Sequence, residues 1–209
     1  YLLKFETSDP GLYKRLHPGT SLDIRLRCLR DLRELGYQVG SGFMIGLPGQ
    51  TTEILARDLM LMRTLHLEMA GIGPFIPHPA TPLSQAPAGD VTLSLKALAL
   101  SRLLLPWAHL PATTALSSLD TDGRRLGLTG GANVVMPNIT PPEYRRLYEI
   151  YPHKAEVKDS PQELYRATLK LIRELGREVA DDPGHALSAE KISSIYKEEF
   201  VYDCNQLYQ

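Results

Sequence analysis

The sequence has little cysteine, and the cysteine it has is not arranged as a metal site. Cys28 and Cys204 are the only two cysteines, and they form no Cys-x-x-Cys pair. Two distant thiols do not form a cysteine metal site, so we expect no metal ligands within the chain. Cys28 falls in a helical pattern and is expected to be a small buried hydrophobe. The default expectation is a reducing, cytoplasmic compartment.

Other features are missing as well. The net charge is only -1, which gives no electrostatic case for binding nucleic acid or an anionic membrane. No apolar run approaches the roughly 20 residues of a membrane span. The opening residues show no signal peptide and no initiator Met. We therefore expect a protein that lacks its N-terminal part, although 43% hydrophobic residues suffice for a sizeable core.

A glycine-rich stretch, residues 40–51, organises the rest of the chain. It begins as an apolar run typical of a strand buried on both faces, and it breaks at Leu47-Pro48-Gly49. Thr51 or Thr52 can cap a following helix. Glycines weaken a strand unless a backbone or a ligand approaches closely. A plain βα turn remains the alternative interpretation, but ligands in α/β folds bind beyond the carboxyl ends of such strands.

Strand and helix patterns alternate along the chain, which predicts an α/β fold with a parallel sheet. The predicted strands are residues 2–7, 40–46, 68–76, 110–116 and 132–138. Five strands do not close a (β/α)8 barrel. An open five-stranded sheet is possible, but a barrel without its first three units fits the abrupt start better.

The pattern changes after Tyr151. We predict three regions: residues 1–155 as the sheet portion, 156–187 as a helical extension, and 188–209 as a tail of unknown role. The extension begins at Ser160-Pro161-Gln162-Glu163, which has the form of a helix start with a capping box. Its helix is predicted to reach about Val179.

Several motifs resemble the radical S-adenosylmethionine (SAM) enzymes, in the branch near biotin synthase. The nearest resemblance is to the HydE family of [FeFe]-hydrogenase maturases. Gly-Leu-Pro-Gly-Gln-Thr at 46–51 is shared by many radical SAM enzymes, whereas Gly-Ile-Gly-Pro-Phe-Ile-Pro-His-Pro at 71–79 is much more specific. The resemblance covers roughly residues 1–152, in the segments 5–8, 14–18, 42–51, 71–79, 111–115, 132–138 and 144–151.

The resemblance implies a TIM-type radical SAM barrel of which this chain carries the C-terminal five βα units. It also implies SAM and a [4Fe-4S] cluster as cofactors of the full-length protein. In the family a Cys-x₃-Cys-x₂-Cys loop holds that cluster, and the loop does not occur in these 209 residues. We therefore expect the chain alone to be inactive. The second cysteine cluster of some relatives is absent too.

The resemblance also assigns SAM-binding residues. Glu6 is expected to accept hydrogen bonds from the ribose or the methionyl amine, and Arg25 to pair with Glu6 and the SAM carboxylate. Met69 and Met136 are expected to line the adenosyl group, and Tyr148 resembles the family's SAM-contacting tyrosine. From the residues alone, Glu6 could equally be a strand-end salt-bridge residue, Arg25 a surface arginine, and the methionines core residues.

The expected substrate-binding residues are Thr113 and Thr114, extended by Thr7, Ser8 and Tyr151. Adjacent strand residues diverge, so at most one of Thr113 and Thr114 should point fully into a barrel. Paired threonines are also simply good strand formers. His78 is a weak candidate, because a lone loop histidine is usually structural.

The implied function is generation of a 5′-deoxyadenosyl radical for assembly of the [FeFe]-hydrogenase cofactor. The expected partners are a small-molecule substrate and other hydrogenase maturation proteins. A biotin synthase- or methylornithine synthase-like enzyme and a truncated inactive fragment remain the alternatives.

Overall fold

A computed structural model describes residues 1–145, 147, 148, 150, 152, 154 and 159–187 of the chain. The described residues contain four short strands, arranged as two two-stranded sheets: β1 (Gly40–Ser41), β2 (Met44–Ile45), β3 (Met69–Ala70) and β4 (Gly73–Pro74). β1 pairs with β3 and β2 with β4, both in parallel. Parallel bridges add the flanking segments, in the pairs Leu2–Gly40, Glu6–Phe43, Met69–His109 and Pro111–Val134. Extended segments therefore lie side by side in their chain order, which confirms the predicted α/β class.

Helices follow the extended segments. They are α1 (Pro10–Leu16), α2 (Leu22–Glu34), α3 (Thr52–Thr64), α4 (Val91–Leu104), α5 (Thr114–Leu119), α6 (Gly123–Thr129), α7 (Pro142–Arg145) and α8 (Pro161–Glu174). The side chain of Ser160 caps α8 and its Glu163 closes the predicted capping box. Thr51 caps α3 by accepting a hydrogen bond from the Ile54 N–H. Short polar residues ahead of apolar runs thus set where these helices begin.

The core lies between the extended segments and the helices packed on them. The second extended segment comprises residues 39–45. Its hydrophobic residues at alternating positions, Val39, Phe43 and Ile45, are buried there. Helices α2 to α4 close this layer with residues such as Leu29, Met62 and Leu98. Burying one sheet face in this way holds the carboxyl ends of the segments at one edge of the sheet.

Two glycines of the organising stretch are required by close backbone approach. Gly42 has φ +150°, and a Cβ built there would lie 2.0 Å from the carbonyl oxygen of Gly71 on the neighbouring segment. Gly46 has φ +88°, and its Cβ would lie 2.4 Å from Gly89 Cα. Any larger residue would push these segments apart.

Two predicted boundaries are wrong. Extended pairing after Leu110 ends near Ala112, whose N–H donates to Val134 O at 2.9 Å, and α5 begins at Thr114. The predicted strand at 110–116 stops early because helical geometry brings Leu116 into the core, where it is 1% exposed. Helix α8 ends at Glu174 rather than near Val179. The region boundaries remain predictions, and the tail 188–209 lies outside the described residues.

The segment after α8 crosses the amino-terminal ends of the extended segments. Arg177 Nη1 donates to Ala132 O at 2.9 Å, and His109 Nε2 lies 2.8 Å from Gly184 O. Gln38 contacts His185 Nδ1 at 2.7 Å. The segment after α8 therefore covers this end of the sheet. In the part of the chain that is described, no helix is long and apolar enough to cross a membrane.

Candidate SAM-binding edge

The carboxyl ends of the extended segments bring several of the predicted residues to one edge. Glu6 is bridged to Phe43, and Met44 lies in register with Gly73. A Cβ built on Gly73 would lie 2.7 Å from Thr113 Oγ1, so Thr113 stands at the same level. Pro111 is bridged to Val134, so Thr113 and Met136 each follow the last paired residues of their segments by two positions. We call this row, from Glu6 to Met136, the carboxyl edge.

The backbone of Glu6 is unusual for a side chain of its size. Its φ is +66°, and the Thr7 N–H donates to Phe5 O at 2.8 Å across it, which makes a γ-turn. Glu6 lies four positions after Leu2, whereas its bridge partner Phe43 lies only three positions after Gly40, the partner of Leu2. The first segment therefore holds one extra residue, which is a bulge. Strained backbone of this kind concentrates at functional sites.

The Glu6 carboxylate is largely buried yet incompletely bonded. Its side chain is 19% exposed, and Lys4 Nζ lies 3.7 Å from Oε2. Among the described residues, Oε2 accepts no hydrogen bond although that atom is shielded from solvent. A buried carboxylate oxygen without a donor is costly, so a hydrogen-bonding ligand would relieve it.

Thr113 has the same property. Its Oγ1 is buried and has no hydrogen-bond partner in the described part of the chain. Thr113 and Thr114 do not share a strand as predicted: Thr113 stands at the N-cap of α5 with φ -70° and ψ 151°, and Thr114 is the first helical residue. Ser118 Oγ donates to the Thr114 carbonyl at 2.9 Å. Thr113 is therefore the better placed of the two for a ligand.

Thr7 and Ser8 lie at the edge, but their polar groups are engaged in the turn. Thr7 is fully buried, and its Oγ1 accepts the Asp9 N–H at 3.3 Å. Ser8 Oγ approaches Ile54 O at 3.5 Å, and its N–H donates to Asp58 Oδ1. These contacts shape the turn, and the substrate role of both residues stays a prediction.

Arg25 does not pair with Glu6, contrary to the expected contact. Its Nε donates to Tyr13 Oη at 3.0 Å, and its guanidinium carbon lies 6.0 Å from the Tyr13 ring centroid. Tyr13 is fully buried on α1, so this contact holds the Arg25 side chain against that helix. A planar guanidinium stacked in this way keeps further donors for a carboxylate, and its role toward SAM stays a prediction.

The remaining predicted residues are placed unequally. Met136 and Tyr148 are 54% and 70% exposed, and Lys154 Nζ lies 5.5 Å from the Tyr148 ring centroid. Met69 lies in register with Gly40, four residues before Gly73, which is about 13 Å along a strand. Met69 thus belongs to a different level from the carboxyl edge. Tyr151 lies outside the described residues.

Sequence patterns missed a buried polar network behind the edge. Asp58 on α3 is fully buried, and its Oδ2 accepts Gln50 Nε2 at 3.2 Å. Burial raises the pKa of Asp58, while the hydrogen bonds from Ser8 and Gln50 and the charge of Arg57 oppose the rise. The sequence signal that could have located this network is an acidic residue inside the apolar stripe of α3, between Leu55 and Met62.

The side chain of His78, the weak candidate from the sequence, accepts the Ala80 N–H at 3.1 Å within its own loop.

The carboxyl edge fits a SAM molecule in its chemistry. The orphaned oxygens of Glu6 and Thr113 match hydroxyl and amine groups, and exposed Met136 offers a soft surface to an adenine. A separate groove of about 650 Å³ lies along α8, between Tyr165 and Val179, and does not include these residues. The described residues contain no group of three or more His, Cys, Asp or Glu side chains suited to a metal.

Comparison with known proteins identifies relatives of the chain, although no family profile matches it. The [FeFe] hydrogenase maturase subunit HydE of Thermotoga maritima is 48% identical over 184 residues, which cover 88% of this chain and 53% of that protein. The chain is a radical SAM relative of HydE. It spans about half the length of this curated relative.

More distant relatives of this HydE-like chain belong to the same branch. A 3-methylornithine synthase of Methanosarcina barkeri is 33% identical over 66% of the chain and 38% of its own length. A biotin synthase of Brucella anthropi is 30% identical over 65% of the chain and 40% of its own length. The crystal structure of methylornithine synthase (PylB) matches with a TM-score of 0.67 and 28% identity, over 86% of this chain and 51% of that one.

Proposed function

We propose that the full-length protein is a radical SAM maturase of the HydE type, which takes part in assembling the [FeFe]-hydrogenase cofactor. The observation that carries the proposal is the 48% identity to HydE over 88% of the chain. The orphaned carboxylate oxygen at the carboxyl edge supports it from the structural side. In this proposal the chain supplies five βα units of a (β/α)8 barrel, and it acts in the cytoplasm.

The residues of the carboxyl edge bind and orient SAM in this proposal. Glu6 accepts hydrogen bonds from the ribose hydroxyls or the methionyl amine, because its Oε2 has no donor of its own among the described residues. Thr113 offers a hydroxyl to a small anionic substrate beside it. Met136 lies against the adenine. Arg25, held by Tyr13, presents its remaining donors to the SAM carboxylate.

The cluster ligands are proposed to come from outside this chain. A [4Fe-4S] cluster that leaves one iron open for SAM requires three cysteine ligands, whereas the chain has two cysteines far apart. When bound together, SAM and a [4Fe-4S] cluster supply a 5′-deoxyadenosyl radical, and the protein's task is to aim it and exclude water. We accordingly propose that the 209-residue chain is inactive by itself. Its partners would be a small-molecule substrate and other maturation proteins.

A second candidate function is biotin synthase- or methylornithine synthase-like chemistry on the same barrel. The 33% identity to 3-methylornithine synthase and the TM-score of 0.67 to PylB favour keeping it. The identity to HydE is higher and extends over more of the chain, so the maturase remains preferred. A truncated, inactive fragment is the remaining alternative.

The test is activation of an apo-[FeFe]-hydrogenase. The full-length protein is combined anaerobically with the apoenzyme, the other maturation proteins and SAM, and hydrogen evolution is measured. The proposal predicts activation that requires this protein. Parallel assays follow the formation of biotin and of 3-methylornithine. Product in either parallel assay without hydrogenase activation would favour the second function, and no activity in any assay would favour the inactive fragment.

A further inference from the structure

Asp58 is a buried carboxylate to which the proposed chemistry gives no direct task. It lies on α3 with no exposed surface, and both of its oxygens accept hydrogen bonds. Oδ1 accepts the Ser8 N–H at 2.5 Å and Oδ2 accepts Gln50 Nε2 at 3.2 Å. Burying a carboxylate is costly unless such donors compensate it. An apolar residue would fit the buried face of α3 without this desolvation cost.

Gln50 links Asp58 to the carboxyl end of the second extended segment. Its Nε2 also donates to Met44 O at 2.8 Å, and its Oε1 accepts the N–H groups of Gly46 at 2.8 Å and Leu47 at 3.3 Å. The Gln50 side chain therefore fixes the tight turn after β2. Asp58 joins this turn to the turn that follows Glu6, because Ser8 and Gln50 donate to the same carboxylate.

Helix α3 holds the Glu6 turn at a second point. Arg57, adjacent to Asp58, pairs with Asp9 at 3.4 Å. Asp9 in turn caps α1 by accepting the Leu12 N–H at 2.7 Å. The strained γ-turn at Glu6 is thus followed at once by two residues that α3 restrains. Positive φ at a glutamate persists only where its surroundings over-determine it.

We propose that Asp58 is a positioning residue for Glu6: it accepts the Ser8 N–H and so ties the turn at Glu6 to the turn that Gln50 fixes after β2, which aims the Glu6 carboxylate at SAM. Asp58 touches no ligand itself. The inference rests on the proposed function in that Glu6 is taken to bind SAM. It deepens that function because it states what orients the Glu6 carboxylate: the hydrogen bond from the Ser8 N–H, just after the first strand, to Asp58 of α3.

A double-mutant cycle in the full-length, cluster-loaded protein tests the proposal. SAM affinity is measured by anaerobic calorimetry for wild type, Asp58→Ala, Glu6→Gln and the double variant. We expect Asp58→Ala to weaken SAM binding about tenfold alone and less than about twofold in the Glu6→Gln background, since coupled residues are not additive. Asp31→Ala, an exposed aspartate on α2, is the control and should leave affinity unchanged.

A second measurement uses the protein without SAM. Hydrogen exchange of the Ser8 amide should accelerate about tenfold or more in Asp58→Ala, because its acceptor is gone, while core amides of α3 keep their protection. If Asp58→Ala does not fold, Asp58→Leu replaces it in both measurements. Leu keeps the branched shape of the side chain but offers no acceptor to the donors of Ser8 and Gln50.

Each outcome decides between the proposals. Coupling to Glu6 together with faster Ser8 exchange supports the positioning role. Equal losses of SAM affinity in both backgrounds, or an unchanged Ser8 amide, would overturn it while the proposed function stands. A wild-type protein that binds no SAM would overturn the proposed function, and the role of Asp58 toward SAM with it.

Discussion

At the scale of single residues, the candidate site depends on polar atoms that the fold leaves unsatisfied. The turn at Glu6 costs roughly 1–3 kcal/mol of backbone strain, and its carboxylate oxygen has no donor among the described residues. A fold selected for stability alone would remove both costs with a glycine at this position. Their joint presence at a strand end is what separates Glu6 from an ordinary surface carboxylate such as Glu34.

Asp58 gives a prediction for the pH dependence of stability. Its pKa is raised by burial above the ordinary value of 3.8, so the folded state holds the proton to higher pH than the unfolded state. Between these two pKa values the folded state binds more protons, so the contribution of Asp58 to stability falls as pH rises. Asn cannot titrate. We expect the free energy of unfolding of wild type minus that of Asp58→Asn to decrease with rising pH in this window.

Denaturant titrations at a series of pH values starting below 3.8 measure this difference. The Asp31→Asn variant serves as the exposed control and should show no such trend relative to wild type. A difference that increases with pH would mean that the hydrogen bonds from Ser8 and Gln50 outweigh burial, and that the folded pKa lies below the ordinary one.

At the scale of elements, the glycines of the second and third segments set the spacing of the sheet. Gly42→Ala would place a Cβ 2.0 Å from the Gly71 carbonyl oxygen, in a backbone that already has φ +150°. Gly36→Ala is a matched control, because Gly36 has φ +84° but nothing within 4 Å of the added Cβ. Thermal and denaturant melts of the two variants separate backbone strain from steric approach.

We expect Gly36→Ala to cost about 1 kcal/mol from strain alone. Gly42→Ala should cost several kcal/mol more or abolish cooperative folding, because the added Cβ would meet backbone atoms of Gly71, which cannot move aside as a flexible side chain can. Equal losses of unfolding free energy in the two variants would show that the close approach of the second and third segments does not affect stability.

The sequence predicted the elements better than their ends. Apolar alternation and the N-caps Thr51 and Ser160 located the helices and the parallel order of the segments, since those signals are local. The end of the strand at Ala112 was missed, because two threonines favour strand locally while the packing of Leu116 is tertiary. The same holds for the candidate site. Glu6 was predicted through the resemblance to a family and stays a prediction, whereas the contact of Arg25 with Tyr13 and the burial of Asp58 depend on how α1, α2 and α3 meet.

At the scale of the whole molecule, the ligands of the cluster and the residues for SAM are expected on different parts of the protein. The chain covers 53% of its HydE relative and contains two cysteines, of which Cys28 lies partly buried on α2. We expect the isolated 209-residue chain to retain no [4Fe-4S] cluster after anaerobic reconstitution and desalting. Iron and sulfide analysis with an electronic spectrum measures this, with the full-length protein as the positive control. Four irons and four sulfides per isolated chain would contradict the expectation.

The most direct measurement of the central claim is the SAM affinity of Glu6→Gln in the full-length, cluster-loaded protein, by anaerobic calorimetry. A hydrogen bond to a charged group contributes roughly 1.5–3 kcal/mol, so we predict affinity weaker by about one to two orders of magnitude. The iron content and the spectrum of the cluster should not change, and Glu34→Gln, an exposed glutamate on α2, should bind SAM like wild type. Unchanged SAM affinity in Glu6→Gln would contradict the assignment of the carboxyl edge as the SAM site.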